Sequence, residues 1–279
     1  MLGHNSYGKS GVRLLKVERV HSHHTIRDLT VDLALEGDFV AAHVKGDNTA
    51  VLPTDTMKNA VYAKARELTI GEPEDFAAAL ATHLLGASKA ATVARVTVAE
   101  HTWRRLDLAG TSHDHAFEGG STELRIARAR AARGGGLVLS AGIDRLRVLR
   151  SAQSAFSGFP RDGYTTLRET EDRILATSVT AEWTYAKNTT GFGGHFRDVR
   201  DALLETFAQH DSKSVQHTLY AMGETVLERC SAVSEIQITM PNAHHLLVDL
   251  SPFGLENPNE IFVPTSEPYG LISATIQRG

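Results

Sequence analysis

Asn242 and His244 stand two residues apart in the run Met240-Pro241-Asn242-Ala243-His244-His245. An amide can hold a polar ligand by donating and accepting at once. An imidazole can move a proton at neutral pH. Taken alone, the pair reads as turn and rim residues. A second group is Leu52-Pro53-Thr54-Asp55-Thr56, ahead of a helical pattern over residues 57–65. Thr54 or Asp55 fits an N-cap, and the spare donors of a helix start also suit an electron-rich ligand. Three further stretches carry chemistry-bearing side chains: the aromatic loop Phe156-Ser157-Gly158-Phe159, Asp172-Arg173-Ile174, and Ser214-Val215-Gln216. Each also has an ordinary use, in packing, a surface ion pair and a helix start respectively. His21-Ser22-His23-His24 and His113-Asp114-His115 invite a metal reading, since histidines two apart on a strand share a side. The first stretch, adjacent histidines in a polar turn without a partner carboxylate or cysteine pattern, is expected to face water. The second, with no third ligand nearby, is expected to make polar contacts. No metal is expected at either.

These residues need elements to position them. Alternating apolar residues predict strands over residues 12–20, 25–36, 92–103, 137–151 and 174–184. Pro73 opens a helix over 72–86, with Phe76, Leu80, His83 and Leu84 on one face. Further helices are predicted over 195–210, with Val199, Leu203, Leu204 and Phe207 on one side, and over 214–229. Two strands, 233–240 and 244–249, close the chain, with the break placed at Pro241 because proline donates no ladder bond. Residues 123–133 carry Arg125, Arg128, Arg130 and Arg133 and read as a basic strand face on a solvated edge. Gly134-Gly135-Gly136 is the best internal boundary. On either side the order is strand, strand, helix, helix, strand, strand, a repeat of elements without strong residue identity. Each half, 1–134 and 135–279, is an α+β layer: an antiparallel sheet with helices on one face. Uncovered edges predict oligomerisation.

Composition narrows the classes. With 42% hydrophobic residues the chain can bury a real core. A net charge of −4 speaks against nucleic acid as the main partner. One cysteine, Cys230, excludes an internal disulfide and fits a reducing cytosol. No run of about 18 apolar residues offers a membrane span. The first residues lack an apolar signal core, and the last three, Gln277-Arg278-Gly279, are not the Ser-Lys-Leu peroxisomal address. The expectation is the cytoplasm, in a bacterium.

The chain also resembles a known family, urate oxidase, along nearly its whole length. The resemblance is carried by Tyr7-Gly8-Lys9, Thr54-Asp55-Thr56 with Lys58-Asn59, and His113-Asp114-His115-Ala116-Phe117. It continues through Gly158-Phe159 with Arg161-Asp162, Tyr164-Thr165-Thr166-Leu167, Asp172-Arg173-Ile174-Leu175, Ser214-Val215-Gln216, and Pro241-Asn242 with His244. It implies two tandem tunnelling-fold units per subunit, a barrel closed by subunit pairing, and a homotetramer with sites at subunit interfaces. Urate and O2 are the implied substrates, and 5-hydroxyisourate and hydrogen peroxide the products, with no cofactor.

The resemblance also assigns roles. Phe156 would stack on the purine, Leu167 would line the pocket, and Arg173 would present its fork to the pyrimidine half. Gln216 and the Val215 backbone would read the same edge, and Asn242 would hold oxygen or water above the ring. Thr54 and the Asp55 N–H would come from the neighbouring subunit. Lys9, Thr54 and His244 would relay the proton. Triplet oxygen does not react directly with a closed-shell substrate, and a flavin or metal usually solves this. Doubly deprotonated urate can instead donate its own electrons, so the protein must stabilise an anion and take a proton. One position departs from the family: Ala243 stands where a lysine is usual. Two alternatives remain at this point, a zinc-dependent pterin-type tunnelling-fold enzyme and a purine-binding protein without turnover.

Overall fold

The computed structural model describes residues 1–279. The chain begins with β1 (Ser6–Val20), β2 (His23–Gly37), α1 (Val40–Lys45), α2 (Thr54–Glu67), α3 (Pro73–Ala87), β3 (Ala91–His101), β4 (Arg104–Leu108), β5 (Thr111–Glu118) and β6 (Leu124–Ala132). It continues with β7 (Gly136–Arg150), β8 (Leu175–Tyr185), α4 (Phe192–Gln209), α5 (Val215–Arg229), β9 (Val233–Ala243), β10 (His245–Leu247), β11 (Phe262–Pro264) and β12 (Gly270–Gln277). Two compact units result: Met1–Ile143 with Trp183–Phe196, and Asp144–Glu182 with Arg197–Gly279.

In the first unit β1, β2, β3 and β6 pair antiparallel in that order. Leu29, Val31, Leu33 and Leu35 of β2 alternate onto the covered face and are buried. Met57, Val61 and Ala65, one per turn, seat α2 against β1. Phe76, Ala77, Leu80, Ala81 and Leu84 seat α3 against β3 and β6. Each buried leucine here contributes about 1.5–3 kcal/mol relative to exposure. His83 does not share that face; it is exposed, and Ala77 and Ala81 complete the stripe instead. The cap of α2 also differs from expectation. Pro53 occupies the N-cap position and Thr54 is the first helical residue, so neither Thr54 nor Asp55 caps the helix.

The arginine-rich strand is not a solvated edge. β6 is an inner strand between β3 and β7. The Arg125 side chain is 8% exposed, forms an ion pair with Glu72 at 2.8 Å and donates a hydrogen bond to Glu74 at 2.7 Å. Glu74 is fully buried at the start of α3, and burial pushes its carboxyl pKa up against the pull of Arg125. Arg133 donates to the carbonyls of Leu85, Ser88 and Ala91, closing the C-terminal end of α3. A count of charges along the strand cannot show that carboxylates and carbonyls from α3 will neutralise them.

The later strands follow in the order β7, β8, β9, β12. Val233, Ile236, Ile238 and Met240 of β9 are buried, and α5 packs on β9 and β12 through Leu219, Met222 and Val226. Gly223 permits the close approach; a Cβ there would sit 2.6 Å from Ile276 Cδ1. The last strand is therefore Gly270–Gln277, not residues 244–249. Residues 245–247 form only a short ribbon with β11. β9 also runs through Pro241, which pairs with Leu271, and ends at Ala243, so the break falls at His244. A proline near the end of a strand is tolerated because few ladder bonds remain for it to remove.

Candidate active site

Lys9 lies on β1, paired with Leu33, and a bulge follows it between Lys9 and Val12. Gly11 takes φ 68 in the bulge, and its N–H donates to Asp32 Oδ1 at 2.7 Å. Bulges re-aim neighbouring side chains. Gly8, just before, has no alternative: a Cβ there would meet the Leu33 carbonyl oxygen at 1.8 Å. Tyr7, on the same face of β1 as Lys9, accepts a hydrogen bond from the Leu52 N–H at 2.9 Å and packs edge-on against Phe39. It thus ties β1 to the residues that lead into Thr54 and Asp55. The Asp55 carboxylate is engaged by Lys58 and by Asn59 at 3.1 Å. Its pKa is lowered first by the Lys58 hydrogen bond and charge, then by Asn59 and the charge of Lys9. Lys9, Thr54 and Asp55 therefore occupy one neighbourhood of the first unit.

The second unit gathers another set. Phe156 exchanges both backbone hydrogen bonds with Thr170, at 2.8 and 3.1 Å. That bridge brings its ring to 5.1 Å from the Arg173 guanidinium. Phe159 stacks on Phe156 with centroids 5.0 Å apart. Arg173 is half-buried, its Nε is buried without a hydrogen-bond partner, and desolvation lowers its pKa. An arginine in that position is ready to donate to an acceptor. Ser214 caps α5, accepting from the His217 N–H at 3.1 Å, which leaves Val215 buried and Gln216 exposed in the first turn. The Ala155 N–H donates to Ser212 O at 2.8 Å, so the strand-like approach to Phe156 runs beside the approach to α5. Leu167 stands in the following loop, 53% exposed. Asn242 pairs with Gly270 near the end of β9. His244 occupies the break, and its carbonyl accepts from Thr265 N–H at 2.9 Å.

The histidine-rich stretches make polar contacts. His113 Nδ1 accepts from the Ala116 and His115 N–H groups. His23 approaches Asp114 at 3.4 Å, and Arg105 donates to the carbonyls of His24, His113 and Asp114. The Tyr7 hydroxyl's role as anchor has no signal in the sequence, because its partner Leu52 is 45 residues away.

With this geometry in view, comparison with known proteins is specific. The uricase family model matches residues 5–129 and 139–273. The chain belongs to the uricase family. It is 46% identical to the uricase of Arthrobacter globiformis over 278 residues, which cover 100% of this chain and 90% of that protein. It is 36% identical to the uricase of Aspergillus flavus over 288 residues, covering 98% and 95%. The crystal structure of the Arthrobacter globiformis uricase superposes with a TM-score of 0.94 and covers 100% of this chain and 95% of that one. A Bacillus sp. TB-90 urate oxidase structure at 22% identity shares the fold, with a TM-score of 0.86 and coverage of 98% and 100%. The tunnelling fold of uricases is thus the fold of this chain, with antiparallel sheet and helices packed on one side.

Proposed function

We propose that this member of the uricase family is a urate oxidase that needs no cofactor. It converts urate, O2 and water to 5-hydroxyisourate and hydrogen peroxide, a step of urate catabolism. The observation that carries the reading within the family is Arg173, half out of water, with an unpartnered Nε beside an aromatic ring. A flat, anionic, carbonyl-rich ring satisfies both features: Phe156 takes its face and Arg173 its edge. Val215 and Gln216 at the start of α5 take the same edge, Leu167 closes the rim, and Asn242 holds oxygen or water above the ring. Preorganised positive charge stabilises the urate dianion that donates electrons to oxygen. Lys9, Thr54 and His244 carry the proton away and later activate the water that adds at C5.

The assembly belongs to the same proposal. β1 and β12 are edge strands that expose Leu15, Val20 and Leu271. Such edges call for a partner. We assign the chain to a homotetramer of two stacked barrels, in which Thr54 and the Asp55 N–H serve the neighbouring subunit's pocket. The division into tandem units at residues 134 and 135 is supported by the element order on each side. No helix is long and apolar enough to cross a membrane; the cytoplasm is the proposed location.

An aerobic urate assay on metal-stripped protein tests the activity. Loss of urate absorbance with peroxide release is expected. Turnover that returns only with stoichiometric zinc would favour the pterin-type alternative, and purine binding without turnover would favour the non-catalytic one. Arg173→Ala should fold and bind an inert xanthine analogue more weakly by about 1.5–3 kcal/mol, the worth of a charge-assisted contact. Calorimetry showing unchanged affinity would remove Arg173 from the pocket.

A further inference from the structure

Residues 151–155 and 210–214 lie between regular elements, so their backbone carbonyls need partners from outside a ladder. Arg150, the last residue of β7, supplies several of them while only 9% exposed. Its guanidinium has five N–H donors in a rigid fork, and its contacts match that number. Nε donates to Ala152 O at 2.9 Å. One terminal nitrogen donates to Phe207 O at 3.1 Å and to His210 O. The other donates to Gln153 O at 2.7 Å and Gln153 Oε1 at 3.3 Å. Phe207 and His210 belong to the C-terminal end of α4, where carbonyls lack helical partners and the dipole favours a cation. Ala152 and Gln153 begin the stretch that reaches Phe156. Two backbone bonds extend the tie: Ala155 N–H to Ser212 O at 2.8 Å and Ser212 N–H to Gln153 O at 3.3 Å. His210 then packs edge-on against His217 in the first turn of α5, centroids 4.3 Å apart.

We propose that Arg150 is a positioning residue for the urate pocket: without touching substrate, it holds the segment bearing Phe156 in fixed relation to the segment that delivers Val215 and Gln216. The inference rests on the assignment of those three residues to urate. It predicts a particular pattern of loss. Arg150 spends its donors on the segments that lead to the proposed ring-gripping groups, not on the proposed relay. Its removal should therefore raise KM and analogue Kd more than it lowers kcat. A merely structural role would instead lower the active fraction, reducing kcat per mole of protein at unchanged KM.

The test uses full-length assembled protein carrying Arg150→Lys or Arg150→Gln. In steady-state urate oxidation, and in calorimetry with an inert xanthine analogue, KM and Kd should rise about tenfold or more while kcat falls less. The lysine variant should resemble the glutamine variant, because three donors on a point charge cannot replace the fork. Folded variants with wild-type KM and Kd would overturn the inference. A wild type that oxidises no urate would overturn the functional reading beneath it, a result visible before any variant is made. Should neither variant fold, amide exchange on the wild type decides. Ala155 and Ser212 N–H must then be protected as strongly as the core of β7, and exchange at loop rates overturns the tie.

Discussion

Lys9→Met and His244→Ala should each lower kcat by about 10²–10⁴-fold, the range of a lost general acid or base, and the double variant should be little worse than the poorer single. Lys9 sits just ahead of a bulge that Gly11 makes possible, on a strand held to the Thr54 approach by the Tyr7 hydroxyl. His244 sits at the one-residue break between β9 and β10. Two groups that pass one proton through Thr54 work as a unit, and removing either disables the unit. Binding of an inert xanthine analogue should survive in all three variants, since the proposed ring contacts are Arg173 and Phe156. The pH profile supplies a second readout. A base works only when deprotonated, so turnover rises with pH along an acidic limb, and that limb should vanish with the base. Steady-state and single-turnover kinetics decide the matter. Strictly multiplicative losses would mean independent roles, and near-normal turnover by Lys9→Met would end the relay.

Mixing inactive Thr54→Ala protein with inactive Phe156→Ala protein should restore activity. If one subunit supplies Thr54 and its neighbour Phe156, random exchange makes both partners intact in about one quarter of sites, by the statistics of a shared interface. If each subunit builds its own pocket, every site retains one defect and nothing returns. The two residues lie in different compact units of the chain. Mass spectrometry must confirm exchange. Confirmed exchange with no recovered activity would refute the shared site. An isolated monomer should likewise be inactive.

Much of the fold was legible in the sequence because periodicity reports one-dimensional exposure. The alternation of Leu29, Val31, Leu33 and Leu35 made β2, and Pro73 with Phe76, Leu80 and Leu84 made α3. The last strand was as legible in principle, since Leu271 to Ile276 carries the same kind of pattern. Residues 244–249 carry a similar pattern, but Leu246 and Leu247 there are exposed. Pro241 does not end β9, because whether a missing N–H matters depends on which ladder bonds remain at that point of the strand.

Residue types likewise marked where chemistry was available: Lys9, Thr54, Phe156, Arg173, Gln216, Asn242 and His244 were all picked out from the sequence and its resemblance. Only tertiary structure decided the partners of polar groups. A guanidinium needs acceptors, and nothing in its neighbours along the chain says where they are. Arg125 found Glu72 and Glu74 at the start of α3, which turned a predicted solvated strand into an inner one. Arg150 found carbonyls at both Gln153 and Phe207. Arg173 found the face of Phe156 and left its Nε unpaired. Apolar burial follows from local pattern because the hydrophobic effect has no direction; hydrogen bonds are directional and short, so their pairing exists only once distant segments have been brought together.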